Sequence, residues 1–102
     1  MRLRILVEAE AELLEAMRYY EQQRSGLGLD LHDRVQETLR TIDETPYRFP
    51  VYEGQQVRRE YRRALVKRFP YIIVYQVRDT EVLVVAIAQT SREPAYWESR
   101  GQ

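Results

Sequence analysis

Arginine is the residue from which this chain can draw most of its chemistry. Fifteen of its sixteen basic side chains are arginine, Lys67 being the exception. A guanidinium stays protonated and presents a planar fork of donors, so it grips phosphates and carboxylates but is a poor proton acceptor. Six bases lie between residues 58 and 68 (Arg58, Arg59, Arg62, Arg63, Lys67 and Arg68) against one acid, Glu60. Near the C-terminus come Arg92, Tyr96, Trp97 and Arg100; tryptophan and arginine are frequent anchors when partners bind. Both groups point to recognition of an acidic or polyanionic partner rather than to proton transfer. Each also has a plainer reading: a charge run is often only solvated surface, and Trp97 can equally cap the core.

Other chemistries have little to stand on. Cysteine is absent, which removes disulfides, thiolate catalysis and thiolate zinc sites. The single histidine, His32, falls on a predicted helix away from the arginines, so no metal site is expected. No glycine-rich phosphate loop and no Ser/His/Asp set occurs, and no cofactor is expected. Between residues 8 and 21 five glutamates (Glu8, Glu10, Glu12, Glu15, Glu21) face one arginine. They spread around a polar helix face without forming a carboxylate pair, and solubility is their expected role.

The elements that must position these residues are legible from periodicity. Residues 2–7 alternate, with Leu3, Ile5 and Val7 on one side, which predicts a half-buried strand. From Glu8 the apolar spacing becomes helical through Leu13, Met17 and Tyr20, predicting a helix to about Gln23. Gly26 suits the left-handed position that closes it. Leu31, Val35, Leu39 and Ile42 mark a second helix over about Leu27 to Glu44, stopped by Pro46. So short a connection makes the two an antiparallel hairpin. Residues 45–56 read as a loop ordered by aromatics. Three strands are predicted after it, over about Val57–Lys67, Tyr71–Arg78 and Glu81–Gln89, with Asp79-Thr80 as a hairpin turn. The last two are apolar on both faces: Val82, Val84 and Ala86 against Leu83, Val85 and Ile87. One face belongs under the helices. The other needs either the C-terminal tail folded over it or a partner.

The 102 residues form one domain, 1–102, large enough to bury a core unaided. No apolar run is long enough to span a membrane and no signal peptide is evident, so a cytoplasmic protein is expected. The fold class is α+β: a strand, a two-helix hairpin, and a mainly antiparallel sheet of about four strands.

Four segments carry a resemblance. AELLEAMRYYEQQRSGLGLDLHDRV, with its paired tyrosines and glycine-containing break, resembles the helical hairpin of the RelE/ParE toxin superfamily. IDETPYRFP resembles the segment leaving its second helix, and RRALVKRFPYIIVYQV its central hairpin. VVAIAQTSREPAYWESR resembles its closing stretch. The likeness implies a toxin of a type II toxin–antitoxin pair, neutralised by a cognate antitoxin and meeting DNA only indirectly, through the antitoxin complex. It implies growth inhibition and a part in plasmid stabilization.

Two activities occur in the superfamily. RelE-like members cleave messenger RNA in the ribosome with lysines, arginines and a C-terminal tyrosine; ParE-like members are not nucleases and act on DNA gyrase. Carried over by position, the ribonuclease set is largely unmatched. Its lysines fall near Arg63 and Leu65, one arginine on Ile72 and another near Thr90, and only Tyr96 survives. The resemblance is therefore closer to the ParE-like branch, implying a non-enzymatic gyrase inhibitor with Arg92, Tyr96, Trp97 and Arg100 as target-binding residues. The basic strand with Arg58, Arg59, Arg62, Arg63 and Arg68 would support them. Two alternatives stay open: a ribosome-dependent ribonuclease using Arg63, Arg92 and Tyr96, and a non-toxic relic that only binds antitoxin.

Overall fold

A computed structural model describes residues 1–54, 59–92 and 95–101. Its order is β1 (Arg2–Ile5), α1 (Val7–Gln23), α2 (Leu27–Glu44), β2 (Arg62–Leu65), β3 (Tyr71–Val77), β4 (Glu81–Gln89) and a closing 3-10 turn (Glu98–Gly101). The strands form one sheet in the order β1-β4-β3-β2. β2, β3 and β4 are antiparallel, and β1 lies parallel to β4 with Ile5 opposite Val84.

The helical hairpin forms where expected and its turn has a specific cause. Gly26 takes a φ of +90°, a conformation that costs a side-chain-bearing residue dearly. Glu21, in the last turn of α1, accepts the N–H groups of Gly26 and Gly28 at 3.0 Å each. One carboxylate thus satisfies two donors that the start of α2 leaves without helical partners. These bonds hold the Glu21 carboxyl below its ordinary pKa. Gly28 is needed for space as well, since a Cβ there would stand 2.6 Å from the Met17 carbonyl oxygen. The two helices close on each other through that gap.

The face of α1 carrying Ala9, Ala16, Leu13, Met17 and Tyr20 joins Leu31, Val35, Leu39 and Ile42 of α2 over the sheet. Beneath them lie Ile73, Tyr75, Val82, Val84 and Ile87. The Tyr75 hydroxyl donates to the Pro46 carbonyl at 2.6 Å, fixing the chain as it leaves α2. Burial pushes its pKa up to about 12.

The strands differ from the periodicity in three places. β1 ends at Ile5, because Leu6 N–H still pairs with Val84 while the Leu6 carbonyl already accepts the first helical bond from Glu10. Val7 therefore opens α1 and is 77% exposed rather than core. β2 is four residues long; Arg59 precedes it, and Arg58 lies outside the described residues. Beyond Leu65 the chain turns through Arg68, whose φ of +70° ends the ladder. In β4 the register slips: Val74 faces Ala86 while Tyr75 faces Val84, leaving Val85 extra. That bulge exchanges the sides expected for Ala86 and Ile87, so Ile87 packs under the helices and Ala86 on the opposite face.

The C-terminal tail covers that opposite face. Trp97, 2% exposed, packs with Val74, Leu83, Val85, Ala86 and Ala88. Tyr61 and Tyr52 meet its ring edge-on at 4.7 and 5.0 Å. Among the described residues no helix is long and apolar enough to cross a membrane.

Candidate functional site

Where the tail crosses the sheet it leaves an open cleft of about 630 Å³. Its floor is Ile72, Leu65 and Ala88; its walls are the Pro50–Glu53 segment on one side and Arg92, Tyr96 and Trp97 on the other. Arg63 enters from β2, the edge strand. In register Arg63 opposes Val74 and Arg62 opposes Tyr75, so the two arginines leave opposite faces of the sheet. Only Arg63 reaches the cleft.

Arg62 is occupied elsewhere. Its guanidinium donates to the Phe49 carbonyl at 2.7 Å and to that of Tyr47 at 3.3 Å, and stands over the Tyr47 ring. It staples the loop after α2. Arg59 donates to the Gly101 carbonyl at 3.2 Å, which also accepts from Arg78 at 2.8 Å. Arg68 sits at the β2–β3 turn beside a different hollow, near Arg24 and Arg34. The basic segment thus does not act as one charged strand: two of its arginines hold the fold, one faces away, and Arg63 faces the cleft.

The tail residues divide in a similar way. Trp97 is interior and closes the core. Arg100 donates to Glu12 at 3.0 Å and to the Val85 carbonyl at 3.1 Å, so its charge is spent inside the molecule. Arg92 is exposed, with its guanidinium 4.2 Å from the centre of the Tyr96 ring. Neither Arg63 nor Arg92 has an ion-pair partner among the described residues. Tyr96 separates the cleft from a smaller hollow of about 200 Å³ lined by Glu12, Glu15 and Tyr19.

Glu12 organises this junction. Its carboxylate accepts the Ile87 N–H at 3.0 Å, the Arg100 guanidinium, and the Tyr96 hydroxyl. The bulge explains the arrangement. β1 stops alongside Val84, so the next stretch of β4 has backbone groups with no strand beside them. Glu12 takes the Ile87 N–H and Arg100 the Val85 carbonyl, meeting a need that burial makes strict. Burial and the neighbouring Glu12 carboxylate push the Tyr96 pKa far up. Spacing placed Glu12 on a polar helix face; only the tail's path shows its use.

The cleft therefore combines two guanidiniums that have no ion-pair partner among the described residues, the Glu53 side chain, an apolar floor and aromatic walls. It suits an anionic group flanked by apolar surface. His32 stands on α2 beside Gln36 and Asp33, apart from it.

A family model described as ParE toxin of type II toxin-antitoxin system, parDE, matches residues 3–94. Among solved structures, a chain from the chromosomal ParDE TA system from P. aeruginosa overlays with a TM-score of 0.75 at 17% identity. It covers 87% of this chain and 95% of its own. At that identity the likeness is one of fold. No curated protein matches the sequence.

Proposed function

The chain belongs to the ParE toxin family of type II toxin–antitoxin systems, and from that premise we propose that it is a toxin that binds DNA gyrase and blocks replication. It works in the cytoplasm and is silenced by a cognate antitoxin. Arg63 and Arg92 are its target-facing cations, with Tyr96 as their wall. Arg100 and Trp97 serve the site indirectly, by holding the tail.

The observation that carries this reading is the commitment of the Tyr96 hydroxyl to Glu12. RNA cleavage needs groups that give and take a proton in the transition state. The cleft offers two arginines, which stay protonated, a tyrosine whose proton is held by a carboxylate, and Glu53 on the opposite wall. Such a site is equipped to bind an anionic group, and Tyr96 is held as part of its wall. The ribonuclease reading retains one supporting observation, that Arg63, Arg92 and Tyr96 all line the same cleft.

The deciding experiment incubates purified protein with gyrase, ATP and supercoiled plasmid, then scores linear DNA after protease and detergent. Accumulated cleaved plasmid is the expected result. Unimpaired supercoiling, together with cleaved messenger RNA in a translating extract, would transfer the assignment to the ribosome. Growth unaffected by expression without antitoxin would leave only antitoxin binding.

A further inference from the structure

We propose that Glu12 is a positioning residue for the cleft: through Tyr96 it holds the Arg92 guanidinium at the cleft wall, where it meets an anionic group of the target. The inference rests on the binding role proposed above for Arg92, and adds a residue that itself touches no target.

Arg92 is exposed and has no carboxylate partner among the described residues. What orients it is the face of Tyr96, 4.2 Å away, and a cation–π contact at an exposed site is weak. The guanidinium is only as well placed as the ring beneath it. That ring is gripped in two ways. Arg100 lies 5.2 Å from its centre, and its hydroxyl donates to Glu12. Glu12 is in turn fixed by the Ile87 N–H and by Arg100, so the ring is referenced to α1 and to the bulge of β4 together.

The hydroxyl bond is surplus to docking the tail. Trp97 buried in the core, Arg100 on Val85 and Glu12, and the two arginines on Gly101 already secure it. A phenylalanine at position 96 would wall the cleft equally well. What the hydroxyl adds is the angle of the ring, and with it the direction of Arg92.

The test uses the full chain as wild type, Glu12→Gln and Tyr96→Phe, with NMR relaxation of the arginine Nε–H groups. Tyr96→Phe keeps the bonds of Glu12 to Ile87 and Arg100, so it serves if Glu12→Gln fails to fold. Arg92 is expected to be restricted in the wild type and released in both variants, while Trp97 emission stays unchanged. Potency in the plasmid-cleavage assay falls roughly tenfold in each, the size expected for one bond to a charged group. Adding Glu12→Gln to Arg92→Ala lowers potency no further.

Arg92 equally restricted in both variants overturns the proposal. So does a red-shifted Trp97 emission, which would make Glu12 a clamp for the tail alone, or an equal loss of potency with and without Arg92. The two readings separate cleanly. If the wild type leaves gyrase untouched while Arg92 is released as expected, the gyrase assignment falls and the positioning role stands. If gyrase is poisoned and Arg92 does not move, the reverse holds.

Discussion

Glu12 and Ile87 stand 75 positions apart, yet the carboxylate of one accepts the backbone N–H of the other at 3.0 Å. The bond exists because β4 carries a bulge just where β1 ceases to flank it. A helix glutamate and a tail arginine supply what a longer β1 would have supplied. The structure around the cleft is thus built on side chains answering backbone needs, with Arg63 and Arg92 at the rim lacking an ion-pair partner among the described residues.

Trp97 follows from the same arrangement as a core residue. Trp97→Ala is expected to cost roughly 3–5 kcal/mol, the usual range for emptying a buried tryptophan site. Urea unfolding measures this, and native emission should be blue-shifted as for a ring away from water. A loss below about 0.5 kcal/mol would mean the tail does not pack on the sheet in solution.

The two glycines of the helical turn should respond differently from each other. Gly26→Ala meets no neighbour within 4 Å but must hold a φ of +90°, which costs about 1–2 kcal/mol. Gly28→Ala gains helix propensity of about 1 kcal/mol but drives a Cβ against the backbone oxygen of Met17. Backbone cannot swing aside, so overpacking of about 1–3 kcal/mol dominates. Thermal melts should show both variants destabilised, and in Gly28→Ala the α1–α2 separation should widen by NMR or crystallography. A stabilised Gly28→Ala would contradict the close helix approach.

Much of this was readable in advance, for physical reasons that differ by element. The helices announce themselves because Leu31, Val35, Leu39 and Ile42 repeat at the helical period, and β4 because the apolar run from Val82 to Ala88 has nowhere to go but a covered sheet. The bulge leaves no such mark: Val85, Ala86 and Ile87 are all apolar, so alternation reads the same with or without the slip. The use of Glu12 depends on that bulge and was invisible with it. The arginines were legible as a group but not one by one. Arg62 and Arg63 are adjacent and alike, and only strand register decides that one staples a loop and the other enters the cleft.

Glu21 gives the fold a predictable pH dependence. Two backbone donors hold its folded-state pKa below the ordinary 4.5. Its contribution is therefore complete once the unfolded carboxylate is ionised, above about pH 5–6, and fades as pH falls through the folded-state value. The difference in urea midpoint between wild type and Glu21→Gln should be largest near neutral pH and shrink toward about pH 3. A gap that stays constant over that range would mean the carboxylate charge plays no part in the turn.

Arg63 offers the sharpest separation of binding from folding. It is exposed on the edge strand, has no ion-pair partner among the described residues, and faces the cleft. Arg63→Glu should leave stability within about 0.5 kcal/mol, as exposed substitutions usually do. Its effect on the target should be far larger. One guanidinium bond to an anionic group is worth about 1.5–3 kcal/mol, and reversal replaces attraction with repulsion, so gyrase poisoning should weaken by more than roughly tenfold. Arg40→Glu, also exposed but on α2, is the control and should retain full potency. Equal losses in the two variants would point to overall charge as the cause; a loss confined to Arg63→Glu locates recognition in the cleft.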